Sequence, residues 1–183
     1  NYRNKESIVD FLNLHGYKIS ELSPEGWSIG DEKGSQLKRK LETTNKKLKD
    51  WNIRIDYGIK TGINDAFIIS GEVKDRLINS DSKNAEIIKP TLRGRDLRKY
   101  IYKFSDQWII CTFPSKKICI DDYPILKKYF IECGKDRLEQ SGRPGSRKKT
   151  GNSWFETQDQ VAYWKLFEEP KIIWGELSDQ AKF

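Results

Sequence analysis

The 183-residue chain suits one domain, with or without a small appendage, and is long enough to bury a hydrophobic core. Its 34 lysines and arginines outnumber its 27 aspartates and glutamates, and the resulting net charge of +7 favours an acidic partner, most often nucleic acid. A basic protein without such a partner has the same balance, so charge alone leaves both options open. Aromatic residues make up 12% of the chain, more than a disordered basic tail contains. No apolar run approaches the roughly 18 residues of a membrane span, so no membrane partner is expected.

The three cysteines, Cys111, Cys119 and Cys133, are widely spaced and fit neither a disulfide framework nor a metal motif. Free thiols are typical of a reducing compartment, so we predict a cytoplasmic protein, and no signal peptide is visible. Because the sequence contains no methionine, we expect it to be part of a longer polypeptide.

Apolar residues recur with helical spacing in several segments. Residues 4–14 are predicted to form a helix that Gly16 ends. Residues 35–51 are predicted to form a second helix, whose many lysines are either a solvated face or a surface that follows phosphates. Further helices are predicted at residues 73–78, near residues 121 or 122 with Pro124 in the first turn, at 135–140 and at 161–167.

Short β-prone runs alternate irregularly with these helices. In residues 53–57 apolar and charged side chains alternate, which is typical of a half-buried strand. Other strands are predicted at residues 66–70, 86–90, 108–113, 117–120 and 171–174, with 108–113 and 117–120 as one possible hairpin. This order predicts an α+β fold, in which a twisted mixed or antiparallel β-sheet core carries flanking helices.

Residues 58–67, Gly-Ile-Lys-Thr-Gly-Ile-Asn-Asp-Ala-Phe, place two glycines ahead of an apolar run. One interpretation is a tight turn that leads into a core strand. The other is a loop that contacts a phosphate or a base, since glycine lets a ligand approach the main chain.

Three basic segments contain glycine, namely residues 58–64, 93–99 and 142–151. Arginine suits bidentate contacts to guanine or phosphate, and threonine and asparagine add neutral hydrogen bonds. The candidate DNA-binding residues are Lys60, Thr61, Asn64, Arg93, Arg95, Arg98, Arg143, Arg147, Lys148 and Lys149.

Two roles are predicted within this set. The residues expected to contact phosphates are Lys60, Lys148 and Lys149. Those expected to contact base edges are Arg93, Arg95, Arg143 and Arg147. An ion pair between Arg95 and Asp96 that shapes the loop is an alternative role for Arg95. The flanking aromatic residues are expected to lie mostly in the core, with packing against sugars as the other option; they are Tyr57, Tyr100, Trp154 and Phe155.

A metal-dependent nuclease is an alternative from another functional class. Such enzymes use two carboxylates to hold Mg²⁺ and a lysine near the attacking water, and Asp65, Glu72 and Lys74 have this spacing. The pattern is short, and Gly71 interrupts the strand that should carry Glu72 and Lys74. His15, the only histidine, has no partner at metal-ligand spacing and is expected to be structural or solvated.

The order of several motifs resembles a known family. Residues 58–67 are followed after about twenty residues by 87–100, Ile-Ile-Lys-Pro-Thr-Leu-Arg-Gly-Arg-Asp-Leu-Arg-Lys-Tyr. Later motifs lie at residues 123–130, 138–143, 154–156 and 171–174. The series resembles the TaqI-like C-terminal specificity domain, the target recognition domain of type IIG, Eco57I-like restriction-modification enzymes and related adenine-specific DNA methyltransferases. The resemblance covers roughly residues 35–183, and its first two motifs are the most specific.

This resemblance implies sequence-specific recognition of double-stranded DNA by loops in the major groove, with no catalytic centre and no cofactor in this chain. It also implies that a methyltransferase domain of the same polypeptide precedes the chain and supplies an S-adenosylmethionine site. The parent enzyme would be a site-specific adenine methyltransferase, with Mg²⁺ where it also carries an endonuclease. Residues 1–34 would be a connector or the tail of the preceding domain, and residues 35–183 the recognition domain. A subunit-interaction module that pairs through the helix at 35–51 is a third hypothesis.

Overall fold

The computed structural model describes residues 7–16 and 32–175. The chain divides into two compact units, Asn1–Ile55 and Asp56–Phe183. The segment predicted to be helical at residues 35–51 falls in the first unit.

The first unit contains helix α1 at Ile8–His15 and helix α2 at Glu32–Thr44. Gly16 ends α1 as predicted, and its N–H donates a hydrogen bond to the Leu12 carbonyl. The predicted start of this helix at residue 4 lies outside the described residues. All apolar side chains described in this unit are exposed to solvent.

The second predicted helix is shorter than expected, because α2 ends at Thr44 and only a 3-10 turn, Leu48–Asp50, follows. The hydroxyl of Thr44 donates to the Lys40 carbonyl at 2.6 Å, and the amide of Asn45 donates to the Leu41 carbonyl at 3.2 Å. Side chains that bond to backbone carbonyls in this way compete with continued helical hydrogen bonding.

The second unit contains a three-stranded antiparallel sheet in the order β1-β5-β2, formed by Ile68–Ser70, Gln107–Ile110 and Ile88–Pro90. Ile109 of β5 pairs with Ile68, and Ile110 pairs with Ile88. A separate hairpin joins β3, Leu97–Arg98, to β4, Ile101–Tyr102. The mixture of helices and small antiparallel sheets confirms the α+β class.

Among the described residues of the second unit, four α-helices accompany these strands. They are α3 at Asn64–Phe67, α4 at Gly71–Ser80, α5 at Pro124–Glu132 and α6 at Lys135–Leu138. Pro124 occupies the first turn of α5, as predicted, because its missing N–H has no intrahelical partner there. Gly134 separates α5 from α6 with a φ of +101°. No helix in the described ranges is long and apolar enough to cross a membrane.

Several predicted strands are wrong or displaced in the described part of the chain. Residues 53–57 and 171–174 are not strands there, and apolar residues such as Ile55 and Ile172 are exposed because no neighbouring strand pairs with them. Residues 66 and 67 close α3, so the strand predicted at 66–70 begins at Ile68.

The option of a hairpin across residues 108–120 is also wrong. Strand β5 ends at Ile110, and Pro114, which cannot donate to a sheet, opens the 3-10 turn Pro114–Lys116. Lys117 then adopts a φ of +50°, a left-handed conformation that does not continue a strand. The segment at 161–167 contains a 3-10 helix, Trp164–Phe167, rather than an α-helix.

The core lies on both faces of β5. Ile110 belongs to a large cluster with Phe67 and Phe130, whose ring centroids are 5.2 Å apart. Its neighbour Ile109 belongs to a second cluster with Val161. Successive side chains of a strand point to opposite faces, so this central strand ties the two clusters together.

Candidate nucleic-acid interface

Residues 61–64 form a glycine turn that starts α3. Gly62 has a φ of +80°, which L-residues with a side chain rarely adopt. The Thr61 hydroxyl donates to Asn64 Oδ1 at 2.7 Å, and Thr61 is only 2% exposed. The predicted contact of the Thr61 side chain with DNA is therefore wrong, since this side chain is internal and shapes the turn. Asn64 is exposed.

Arg147, predicted to contact a base edge, does not face solvent. Its exposure is 4%, and its guanidinium lies 5.2 Å from the ring centroid of Phe67. The guanidinium donates to four backbone carbonyls. These are the carbonyls of Leu138 (2.9 Å from Nε and 2.6 Å from Nη2), Thr61 (2.9 Å from Nη1), Glu156 (2.7 Å from Nη1) and Trp154 (2.6 Å from Nη2).

These hydrogen bonds correct the predicted role of Arg147. Its nitrogen donors are already used, so the prediction that Arg147 contacts a base edge is wrong. It instead holds together the glycine turn, the end of α6 and the turn at residues 154–156. Burial lowers the pKa of the guanidinium to about 10, while nearby Glu139 and Glu156 oppose the shift, so Arg147 remains charged near neutral pH.

The backbone of residues 158 and 159 also holds the glycine turn in place. The N–H of Gln158 donates to the Thr61 carbonyl, and that of Asp159 donates to the Lys60 carbonyl, each at 3.2 Å. The side chain of Lys60 is exposed and lies 5.1 Å from the Tyr57 ring centroid. The backbone of Lys60 is thus fixed while its ammonium group can contact a ligand.

We expect Gly62→Ala to lower the free energy of unfolding by roughly 1–3 kcal/mol, because alanine resists this φ and its Cβ has no room. The added Cβ would lie 2.6 Å from Gln158 Oε1 and 3.0 Å from Arg147 Cδ. Chemical denaturation measures the change. Gly58→Ala is the matched control, because a Cβ at Gly58 meets nothing within 4 Å. Equal stability of the two variants would contradict the assignment of strain to Gly62.

The basic loop, residues 141–153, contains no acidic residue and is folded by its own hydrogen bonds. The Gly142 N–H donates to the Arg147 carbonyl at 3.0 Å, and the hydroxyls of Ser141 and Ser146 are 2.9 Å apart. The Arg147 N–H donates to the Glu139 carbonyl at 2.9 Å. This loop leaves three predicted DNA-binding side chains exposed, namely those of Arg143, Lys148 and Lys149.

The basic hairpin segment, residues 93–103, is built around a buried carboxylate. Asp96 is 5% exposed and accepts a hydrogen bond from the Arg93 N–H at 2.8 Å. Its backbone carbonyl accepts from the Lys103 N–H at 2.8 Å, which closes the base of the hairpin. Asp96 therefore shapes this segment, as the alternative role for Arg95 and Asp96 supposed. It does so through the Arg93 N–H, because no ion pair between Asp96 and Arg95 occurs among the described residues.

The three arginines of this segment differ in exposure. Arg93 is half-buried, whereas Arg95 and Arg98 are exposed. One nitrogen of Arg98, Nη1, donates to the carbonyls of Arg95 at 2.6 Å and Leu97 at 2.8 Å. Of the three arginines, Arg95 therefore has the guanidinium that is most available to a ligand.

We expect Asp96→Asn to lower stability at neutral pH by an amount that shrinks in acid. The Arg93 N–H, and secondarily Ser105 and nearby arginines, hold the pKa of the Asp96 carboxyl below its ordinary value, although burial opposes them. The stabilisation is fully present above the ordinary aspartate pKa and is lost as the pH falls through the lower pKa of the folded state. Unfolding measured at a series of pH values tests this, with the exposed Asp136→Asn as control. A difference from the wild type that did not depend on pH would contradict it.

The tip of the hairpin was missed by sequence reasoning, which placed most aromatic residues in the core. Tyr100 is 80% exposed, Ile101 68% and Tyr102 60%. The two-residue connection Lys99–Tyr100 has none of the Asn-Gly or Gly-rich signals of common hairpin turns, so the turn was not predicted.

The residues of the nuclease alternative do not have the arrangement that their motif needs. Glu72 and Lys74 lie in α4, where positions two apart point in different directions, whereas on a strand they would share a face. Asp65 pairs with Arg137 at 2.9 Å. Within the described residues, no group of three or more histidine, cysteine, aspartate or glutamate side chains is placed to hold a metal ion.

Comparison with models of protein families finds no match, and comparison with curated proteins finds none either.

Proposed function

We propose that this chain recognises specific sequences in double-stranded DNA, as the specificity domain of a restriction-modification DNA methyltransferase. The observation that carries the proposal is the exposure of cations on two folded, glycine-containing segments. The basic loop contains no acid, and the single acid of the basic hairpin segment, Asp96, is buried. Segments of this kind attract a polyanion, since an exposed cation that has no acidic partner can neutralise a phosphate without first breaking an ion pair.

The proposed role of each residue follows from its chemistry and its exposure. Lys60, Lys148 and Lys149 are exposed ammonium groups, which act as point charges and bind phosphates. Arg95 and Arg143 are exposed guanidinium groups, which can bind guanine O6 and N7 in a bidentate manner. Arg93, Arg98 and Asn64 lie in the same segments and complete the set of proposed contacts, while Thr61 and Arg147 shape the scaffold.

The order of motifs that resembles the TaqI-like specificity domain supports the restriction-modification context. In this context a methyltransferase domain of the same polypeptide binds S-adenosylmethionine and modifies adenine, and any endonuclease of the parent enzyme uses Mg²⁺. This chain selects the DNA sequence that is bound, and the methyltransferase domain carries out the methylation.

Selection from a pool of randomised DNA duplexes tests the proposal. The 183-residue chain should enrich one short sequence, and its affinity should fall steeply as salt increases. Recovery of unselected sequences with salt-dependent binding would reduce the proposal to non-specific binding. Absence of duplex binding even at low salt would overturn it.

A second candidate function is association with another subunit through α2. Leu37 and Leu41, which lie four residues apart on this helix, are 58% and 54% exposed. Residues with this spacing share a helix face, and such a face can pack against a partner helix. Sedimentation of the chain with Leu37→Gln and Leu41→Gln together, compared with the wild type without DNA, distinguishes this function, because only the wild type should associate.

A further inference from the structure

The hairpin of β3 and β4 is fixed at its base and exposed at its tip. Leu97 is buried at 6% exposure and pairs across the hairpin with Tyr102. The Lys103 N–H donates to the Asp96 carbonyl at 2.8 Å, which joins the two strands at their open end. The tip, Lys99–Tyr100, is exposed. The hairpin therefore presents a short projection on a fixed support.

Tyr100 at this tip has an unfavourable backbone conformation. Its φ is +64°, in the left-handed region where glycine and asparagine are common and a bulky side chain is strained. With 80% of the residue exposed, burial in the core does not compensate for the strain. Two-residue hairpin turns commonly use a positive φ, but a large aromatic residue is unusual there, and its exposed ring motivates the hypothesis of a contact outside the chain.

The charges around Tyr100 indicate what it contacts. Residues 93–103 contain five lysines and arginines, and their one acid, Asp96, is buried. Lys99 Nζ lies 5.1 Å from the Tyr100 ring centroid. An exposed aromatic ring beside a lysine, in a segment rich in cations, matches a nucleic acid, in which flat base faces lie close to phosphates. A protein surface would need an unusual density of acids to match it.

We infer that Tyr100 stacks on a nucleobase of the bound DNA, at a base step that the hairpin tip opens, while the neighbouring Lys99 contacts a flanking phosphate. The inference rests on the proposed function and adds a contact that depends on base unstacking rather than on hydrogen bonding to a base edge. Every base has a flat face, so this contact tolerates different sequences. Its strength depends on how easily the base step opens, and a gap or mismatch makes opening easier.

Two variants of the 183-residue chain, Tyr100→Gly and Tyr100→Phe, test the inference with two probes. The probes are a fully paired duplex of mixed sequence and the same duplex with a one-nucleotide gap. The wild type should bind the gapped duplex more tightly than the paired one. Tyr100→Gly should bind the gapped duplex roughly five- to 150-fold more weakly than the wild type, the range that corresponds to one lost base–aromatic stack. Tyr100→Phe should retain the preference for the gapped duplex.

Denaturation of Tyr100→Gly separates binding from folding. Glycine relieves the strain at φ +64°, so this variant should unfold at the same or a higher denaturant concentration than the wild type. Duplex binding with a salt-dependent affinity that is equal in the wild type and Tyr100→Gly would overturn this inference and leave the proposed function intact. If the wild type bound neither probe, both would be overturned.

Discussion

Replacing Arg147 with alanine should destabilise the second unit by about 3–5 kcal/mol, because breaking a buried hydrogen-bond network is one of the costliest single changes. The change removes the two hydrogen bonds that Arg147 donates to the carbonyl of buried Leu138 and the one that it donates to the Trp154 carbonyl. It also removes one donor each from the carbonyls of Thr61 and Glu156, which keep a second donor in Gln158 and Gln140. Each carbonyl left unpaired away from water costs of the order of 1–3 kcal/mol. Chemical denaturation, with the midpoint and the slope fitted separately, measures the loss.

Two further variants test whether the loss of stability comes from the hydrogen bonds of Arg147. Lys148→Ala removes the neighbouring exposed cation and should change stability by no more than about 0.5 kcal/mol. Arg147→Lys keeps the charge but loses the planar fork of donors, so its stability should fall between those of Arg147→Ala and the wild type. If Arg147→Ala and Lys148→Ala unfolded at the same denaturant concentration, Arg147 would not have the structural role described above.

The triple variant with Lys60→Gln, Lys148→Gln and Lys149→Gln should bind all duplexes more weakly, by roughly 100-fold at physiological salt. Each phosphate contact contributes about 0.9 to the slope of log affinity against log salt, so the slope should become about 2.7 units less steep. The preference among sequences should remain, because phosphate contacts carry no sequence information directly. Titrations of a labelled duplex at several salt concentrations measure both quantities.

The matched control for this variant changes the net charge by the same amount elsewhere. The control variant combines Lys74→Gln, Lys127→Gln and Lys128→Gln on α4 and α5. These three lysines pair with Asp75, Asp121 and Glu132. We expect this control to retain most of the affinity and most of the salt slope. Equal losses in the two triple variants would indicate that net charge alone governs binding, and the proposed phosphate contacts would then be wrong.

Local sequence signals were sufficient to predict a helix whose formation depends only on its own residues. Pro124 together with Leu126 and Phe130 predicted α5, because proline suits the first turn and apolar residues four apart face the core. Gly134 predicted the break before α6, and its φ of +101° explains it. These signals depend only on backbone conformation and helical spacing, which a short segment determines.

Strands were predicted less well because a strand needs a partner that its own sequence does not specify. Residues 53–57 have the alternation of a strand but are not assigned to one, and Ile53 and Ile55 are exposed, whereas β5 pairs with a strand on each side and is buried on both faces. The difference arises from tertiary packing, since hydrogen bonds between strands join residues that are distant in sequence.

The sequence by itself determined the basic charge, the α+β class, the glycine turn and the position of the basic segments. Only the tertiary structure decided which cations remain available to a ligand. Arg147 and Lys148 are adjacent in the same basic run, yet Arg147 is buried among the carbonyls of three segments and Lys148 is exposed. The physical reason is that a buried guanidinium needs several acceptors at fixed positions, and the fold brings those acceptors together from Thr61, Leu138 and the turn at residues 154–156. Tyr100 shows the converse, because an aromatic residue expected in the core lies at the tip of a hairpin that the core does not cover.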